Sequence, residues 1–132
     1  QNHKIMLKKL LVTLKKQNKK VLGYGASTKG NVLLQYCKID SKLLNCILEI
    51  NKFKFNKFTP GTNIKIVSEK EAKLKKPDYL LVLPGHFKDY IIKREKKFLK
   101  NGGKLIFPLP DIEIIWLIKI LFIDIGIFVM IN

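Results

Sequence analysis

Five short apolar runs, separated by longer polar or amphipathic segments, constrain the fold of this chain most strongly. Short continuous apolar runs are typical of strands that are buried on both faces. These strands are predicted at residues 20–25, 43–50, 64–67, 78–83 and 104–108. Strands that alternate with helices form a parallel sheet covered on both sides. The sequence therefore predicts a three-layer α/β fold with a mostly parallel sheet.

Helices are predicted between these strands, at residues 3–20, 28–38, 69–76 and 86–100. Ser27 or Thr28 can cap the second helix, and Ser68 with Glu71 forms a capping box at the third. Gly102, in the run Asn-Gly-Gly, ends the fourth. In this arrangement the loops that follow the strands meet at one edge of the sheet, where such folds bind ligands.

The last part of the chain departs from the alternating pattern. Residues 114–131 are nearly all apolar and are about as long as a membrane span. Lys119 and Asp124 interrupt them, and each would be costly at the centre of a bilayer. We therefore expect an additional buried element or an extension, with a membrane segment or a frameshifted tail as alternatives. The predicted organisation is a lead-in helix at 1–19, an α/β domain at 20–115 and an apolar tail at 116–132.

The charge of the chain is strongly positive, with a formal net value of +16. Such a charge can indicate a nucleic-acid or anionic-membrane partner. However, Arg94 is the only arginine, and the abundance of Lys, Ile, Asn and Phe is typical of an AT-rich genome. We expect no nucleic-acid partner and do not favour a membrane. Cys37 and Cys46 have no spacing for a zinc site or a disulfide framework, so we predict a cytoplasmic protein without a metal.

The run VLGYGASTKGN, residues 21–31, has the composition of a strand that ends in a phosphate-holding turn. Gly23 and Gly25 form the first half of a dinucleotide fingerprint, but Thr28 stands where the third glycine should be. A Walker loop is excluded because Asn31 and Val32 replace its lysine and hydroxyl residue. The turn can still hold an anion at the start of a helix, or it can simply be tight.

Two further side chains fall on the same predicted edge. Glu49 ends the second strand, where a carboxylate commonly accepts hydrogen bonds from a ribose diol, and a solvated carboxylate is the alternative. His86 follows the third long strand and could act as an acid or base, or could merely begin a helix. No Ser–His–Asp set or carboxylate pair is evident, so no catalytic residue is predicted.

Four stretches of the sequence carry a family resemblance: YGASTKGN (24–31), KFTPGTNI (57–64), KPDYLLVLPGHFKD (76–89) and NGGKLIFPLP (101–110). In this order they resemble the C-terminal domain of S-adenosylmethionine-dependent sugar C-methyltransferases, over residues 7–115. The resemblance implies a Rossmann-like domain that helps to build a nucleotide-sugar site. It also implies that S-adenosylmethionine binds outside this chain, on a catalytic methyltransferase domain that is absent here. That enzyme would methylate a carbon beside the ketone of a keto-deoxy sugar.

The turn and the resemblance together give the predicted site residues. Substrate or phosphate binding is predicted at Tyr24, Gly25, Ser27, Thr28, Lys29, Gly30 and Asn31, and ribose or substrate contacts at Glu49, Thr59, Gly61, Thr62 and His86. The chain departs from the family at Gly85, where the family tends to have Trp, and at Glu49-Ile50, where it tends to have Asp-Arg. The implied function is a substrate-site domain that is not active alone and lacks a bound cofactor. The alternative is a free-standing NAD- or nucleotide-binding Rossmann module.

Overall fold

The computed structural model describes residues 2–124, and the side chains of residues 2–120. Six strands form one sheet in the order β3-β2-β1-β4-β5-β6. The strands are β1 Val21–Tyr24, β2 Cys46–Glu49, β3 Lys65–Ser68, β4 Tyr79–Val82, β5 Lys104–Phe107 and β6 Glu113–Ile115. The helices are α1 Asn2–Lys16, α2 Thr28–Tyr36, α3 Glu69–Leu74, α4 Lys88–Arg94, α5 Lys96–Lys100 and α6 Leu117–Asp124, with a 3-10 turn at Lys52–Lys54. The predicted fold class is confirmed.

The first five strands run parallel, and β6 is antiparallel to β5. Successive residues of a strand face opposite sides of a sheet, so each strand contributes to two cores. In β1, Val21 packs in the core beneath α1 and α2, whereas Leu22 and Tyr24 pack in the core on the other face, towards α3–α5. The apolar runs of the sequence are continuous because both faces of these strands are covered.

Helix α1 packs against the domain through one apolar stripe. Leu7, Leu11 and Leu14, at intervals of four and three residues, are buried in the same core as Leu34 of α2 and Ile106 of β5. Each fully buried leucine side chain stabilises the fold by about 1.5–3 kcal/mol relative to an exposed one. The lead-in helix is thus part of the layer that covers one face of the sheet.

Two predicted helices differ from the observed ones. Helix α1 ends at Lys16, short of residue 20, and Asn18 adopts a left-handed conformation with φ of 60° just beyond it. The single helix predicted at 86–100 is wrong, because α4 and α5 are separate and Glu95 lies between them with φ −97° and ψ 25°. Glu95 is only 3% exposed. Its carboxylate turns inward to hydrogen-bond partners, and this need overrides the helical propensity of the segment.

The end of the chain contains structure that the sequence did not predict. Residues 114 and 115 of the apolar tail belong to β6, so the strand at 104–108 is not the last one. Ile115 is buried, in agreement with an additional buried element. Helix α6 follows, and residues 125–131 of the tail lie outside the described residues. Within residues 2–124, none of the helices combines the length and the hydrophobicity that crossing a bilayer requires.

Candidate functional site

The turn between β1 and α2 lies at the carboxyl edge of the sheet. Gly25 follows β1 with φ of +82°, and Ser27 caps α2 by accepting a hydrogen bond from Gly30 N at 3.0 Å. The Ser27 hydroxyl also donates to Pro84 O at 2.5 Å, which joins the loop after β4 to the start of α2. Thr28 and Lys29 are exposed in the first turn of α2. Their N–H groups have no protein acceptor among the described residues, so this helix start is open to an anion.

The carboxylate of Glu49 is almost fully occupied by backbone donors. Its Oε1 accepts from Ala26 N at 2.9 Å, and its Oε2 accepts from Ile50 N and Asn51 N, both at 2.8 Å. Each carboxylate oxygen accepts about two hydrogen bonds, so Oε2 is saturated. Glu49 therefore holds the β1–α2 turn against the end of β2, and it retains one acceptor position at Oε1.

A cation that the sequence did not indicate lies against the same turn. The Lys54 ammonium donates to Ala26 O at 2.6 Å and lies 4.0 Å from Glu49 Oε1. The 3-10 turn places it there, since Asn51 accepts from Phe53 N at 3.1 Å and folds the chain back after β2. The only sequence signal for this contact is Asn51, which favours such a turn. Lys54 therefore brings a cation close to the carboxylate that ends β2.

The imidazole of His86 lies directly over Gly25. A Cβ atom at position 25 would lie 2.1 Å from His86 Nε2, so the ring can occupy this place only because residue 25 is glycine. The His86 ring packs edge-on against the ring of Tyr24, with centroids 6.3 Å apart. Within the described part of the chain, Nε2 is buried and has no hydrogen-bond partner. It is therefore a polar atom with unused bonding capacity at the candidate site.

The residues at 59–62, where substrate contacts are predicted, form a clasp between the loop before β3 and helix α2. The Thr59 hydroxyl accepts from Ile64 N at 2.9 Å and lies 2.5 Å from the hydroxyl of Thr62, which donates to Asn31 Oδ1 at 2.8 Å. The amide of Asn31 donates to Pro60 O at 2.9 Å. Both threonines are buried. The structure thus brings the first two sequence motifs together, but it does so through contacts between them.

Gly61 and Gly30 allow close packing around this clasp. Gly61, with φ of +74°, lies so near α2 that an added Cβ would be 2.5 Å from Gln35 Nε2. A Cβ on Gly30 would be 2.6 Å from the Cβ of Leu83. Gly30 therefore lets α2 approach the end of β4.

Tyr24 belongs to a second polar cluster, on the other face of the sheet. Its buried hydroxyl donates to Glu95 Oε2 at 3.1 Å and accepts from Arg94 at 2.9 Å. Arg94 also donates to Glu95 at 2.9 Å and to Glu69 at 2.6 Å, and Lys73 donates to Glu95 Oε1 at 2.5 Å. We call these five residues the buried ionic cluster. The Tyr24 hydroxyl is thus committed to the cluster, and the substrate or phosphate contact predicted at Tyr24 stays a prediction.

The electrostatics of the buried ionic cluster follow from burial and charge pairing. Burial, together with the negative charge of Glu95, raises the pKa of Tyr24 well above its usual range. The hydrogen bond to Glu69 raises the pKa of Arg94 further. An open cleft of about 700 Å³ borders this cluster and reaches Pro77 and Gly103, just before β4 and β5. The cleft therefore opens towards the amino ends of the strands, away from the β1–α2 turn.

Comparison with known proteins supports the assignment that the sequence motifs suggested. Residues 1–110 match the family described as the C-methyltransferase C-terminal domain. A stretch of 97 residues, 74% of this chain, is 39% identical to the C-methyltransferase NovU of Streptomyces niveus. That stretch spans 23% of the length of NovU, so the chain corresponds to about a quarter of this relative.

Proposed function

Because the chain belongs to the family of C-methyltransferase C-terminal domains, we propose that it holds the nucleotide part of a nucleotide-linked keto-deoxy sugar for an S-adenosylmethionine-dependent C-methyltransferase. The family match carries the proposal. The match to only 23% of NovU agrees with a methyl-transfer domain that lies outside this chain. In this arrangement the methyl donor binds to the other domain, and the chain alone transfers no methyl group.

The β1–α2 turn supports the proposal because it offers anion-binding groups without catalytic ones. The N–H groups of Thr28 and Lys29, the Lys54 ammonium and the His86 imidazole gather at the carboxyl edge. A diphosphate is the part of a nucleotide sugar that such groups recognise. They suit binding and orientation of a substrate better than bond cleavage.

The NAD-binding alternative relies on the half fingerprint Gly23-Tyr24-Gly25 and on the strand order. A ribose diol presents two hydroxyl donors to the carboxylate that ends β2. In Glu49, Oε2 already accepts two backbone N–H groups, so only Oε1 can accept a further hydroxyl. This occupancy favours a nucleotide-sugar ligand over a dinucleotide that is held through its ribose.

Calorimetric titration of the 132-residue chain tests the proposal. We expect saturable binding of a thymidine diphosphate keto-sugar, and no heat of binding with NAD or S-adenosylmethionine at millimolar concentration. A methyl-transfer assay with the chain alone should give no product. Tight NAD binding, or turnover by the chain alone, would refute the proposed role.

A further inference from the structure

The hydrogen bonds within the chain show which polar groups at the β1–α2 turn are already paired. The groups that are not paired are the candidates for ligand contact. Glu49 is largely committed, since three backbone N–H groups occupy three of the four acceptor positions of its two oxygens, and Oε1, which keeps the fourth, lies 4.0 Å from the Lys54 ammonium. Removing Glu49 from these donors to bind a ligand would leave Ala26, Ile50 and Asn51 with unpaired N–H groups. The role of Glu49 is therefore to fix the turn.

Lys54 has the bonding capacity that Glu49 lacks. An ammonium group has three donors, and the contact with Ala26 O uses one of them. The Lys54 side chain is 43% exposed, so its remaining donors can reach a ligand from solvent. At 4.0 Å from Glu49 it is close enough to be held by the carboxylate without being neutralised by a tight ion pair.

His86, from the loop after β4, supplies a second free group, which lies over Gly25 of the turn. Leaving a buried polar atom without a partner normally costs about 1–3 kcal/mol. Here Nε2 is buried against Gly25, next to the residue whose carbonyl binds Lys54. Gly85, with φ of +106°, turns the chain after β4 so that His86 reaches this place. An anion at the turn would give Nε2 the partner it lacks.

We propose that Lys54 and His86 are the side chains that bind a phosphate group of the ligand at the β1–α2 turn, while Glu49 positions the turn and does not hold a ribose diol through both of its oxygens. This inference rests on the proposed function, in which that turn binds a nucleoside diphosphate. In this proposal the cation that pairs with the phosphate is the Lys54 ammonium and not the Lys29 ammonium.

Titration of inorganic pyrophosphate and of thymidine diphosphate into single variants tests the role of Lys54. Lys54→Met should weaken the binding of both compounds about tenfold, because a charge-assisted hydrogen bond is lost. Lys52→Met is the matched control, since Lys52 is an exposed lysine on the same 3-10 turn. It should change either affinity by less than about twofold, as expected for an exposed charge that is screened by salt.

His86→Phe tests the second group, because phenylalanine keeps the ring packed against Tyr24 but cannot donate or accept a hydrogen bond. Affinity for both compounds should fall about threefold to tenfold. The thermal midpoint should stay unchanged or rise, since Nε2 has no partner to lose. A purely structural histidine would give the opposite pair of results, with a lowered midpoint and unchanged affinity.

The outcomes separate this inference from the proposed function. If the unmodified chain binds neither compound, the proposed function itself is wrong. If it binds them and Lys54→Met behaves like Lys52→Met, or if Lys29→Met causes the larger loss, only the assignment to Lys54 is wrong. Binding that weakens in both the Lys54 and His86 variants supports the inference.

Discussion

The buried ionic cluster and the β1–α2 turn lie at opposite ends of the Tyr24 side chain, and they differ in how completely their polar groups are paired. At the hydroxyl end, Glu95 accepts from Tyr24, Arg94 and Lys73. At the other end, His86 Nε2 has no partner within the described residues. Completely paired groups hold a fold together, whereas an unpaired buried polar group is rare and costly, and it has bonding capacity for a further partner. The contrast separates structural residues from candidate binding residues more clearly than their spacing in the sequence does.

The largest loss of stability that we expect comes from a substitution in the buried ionic cluster, where the polar groups are fully paired. Glu95→Gln keeps the shape of the side chain but replaces one acceptor oxygen with a donor amide, which then faces either Lys73 or the pair of Tyr24 and Arg94. The free energy of unfolding should fall by about 3 kcal/mol, at the low end for a broken buried ion pair because both cations are partly exposed. Urea unfolding measures this change.

Glu71→Gln is the matched control for this variant. Glu71 is exposed in the neighbouring helix α3, and its substitution should change the free energy of unfolding by less than about 0.5 kcal/mol. Equal losses in the two variants would mean that the buried ionic cluster does not stabilise the fold.

The fold was predictable from the sequence where local pattern and burial agree. The apolar runs that became β1, β2 and β4 are continuous because the sheet is covered on both faces, and this is a property of the sequence itself. The inward-facing carboxylate of Glu95 at the break was not predictable, because its partners Lys73 and Tyr24 are 22 and 71 residues away in the sequence and approach it only in the folded chain. Strand β6 has three residues and pairs antiparallel to β5, so it carries too little pattern to be recognised.

The candidate site was predictable only in part, for the same physical reason. The position of Ser27 as a helix cap follows from local chemistry and was predicted. The commitment of Thr62 to Asn31 depends on a loop that folds back across 31 residues. The place of Lys54 likewise depends on a tertiary contact, with Ala26 O. A sequence motif therefore located the turn, but it could not tell which of its polar groups bind each other in the folded chain.

The next largest loss of stability is expected at the β1–α2 turn, from a substitution at Gly25. Gly25→Ala forces a left-handed φ on alanine and also brings its Cβ against His86, so we expect a loss of about 2 kcal/mol in the free energy of unfolding. Gly102→Ala is the control for the backbone contribution. Gly102 has φ of +93° but no neighbour within 4 Å of an added Cβ. Gly102→Ala should lower the free energy of unfolding by about 1 kcal/mol, because only the left-handed backbone conformation opposes the alanine.

Combining Gly25→Ala with His86→Ala isolates the contact. Removing the ring should bring the cost of Gly25→Ala down to that of Gly102→Ala, as a double-mutant cycle would record. A cost that does not change when His86 is truncated would mean that the imidazole does not lie over Gly25.

The smallest expected loss of stability comes from removing the Tyr24 hydroxyl. Tyr24 contacts both the buried ionic cluster and His86 at the β1–α2 turn. Tyr24→Phe should lower the free energy of unfolding by about 1 kcal/mol at neutral pH, the usual value for one hydrogen bond. Burial and the charge of Glu95 raise the pKa of Tyr24 above the ordinary value of 10.0, so the folded state retains this proton more tightly than the unfolded state. The stabilisation is therefore complete below pH 10 and declines as the pH rises above it. Lysine deprotonation at high pH affects the unmodified chain and Tyr24→Phe alike. The difference between their free energies of unfolding therefore reports on Tyr24.

Urea unfolding between pH 7 and pH 11 measures that difference directly. The stability gap between the unmodified chain and Tyr24→Phe should narrow above pH 10, because only the former loses a proton from this site when it unfolds. Tyr90→Phe removes an exposed phenol and serves as the control for hydroxyl loss at the surface. A gap that widens with rising pH would reverse the sign of the linkage. It would mean that the hydroxyl ionises readily in the folded chain, and that the pairing on this side of Tyr24 is as incomplete as the pairing around His86.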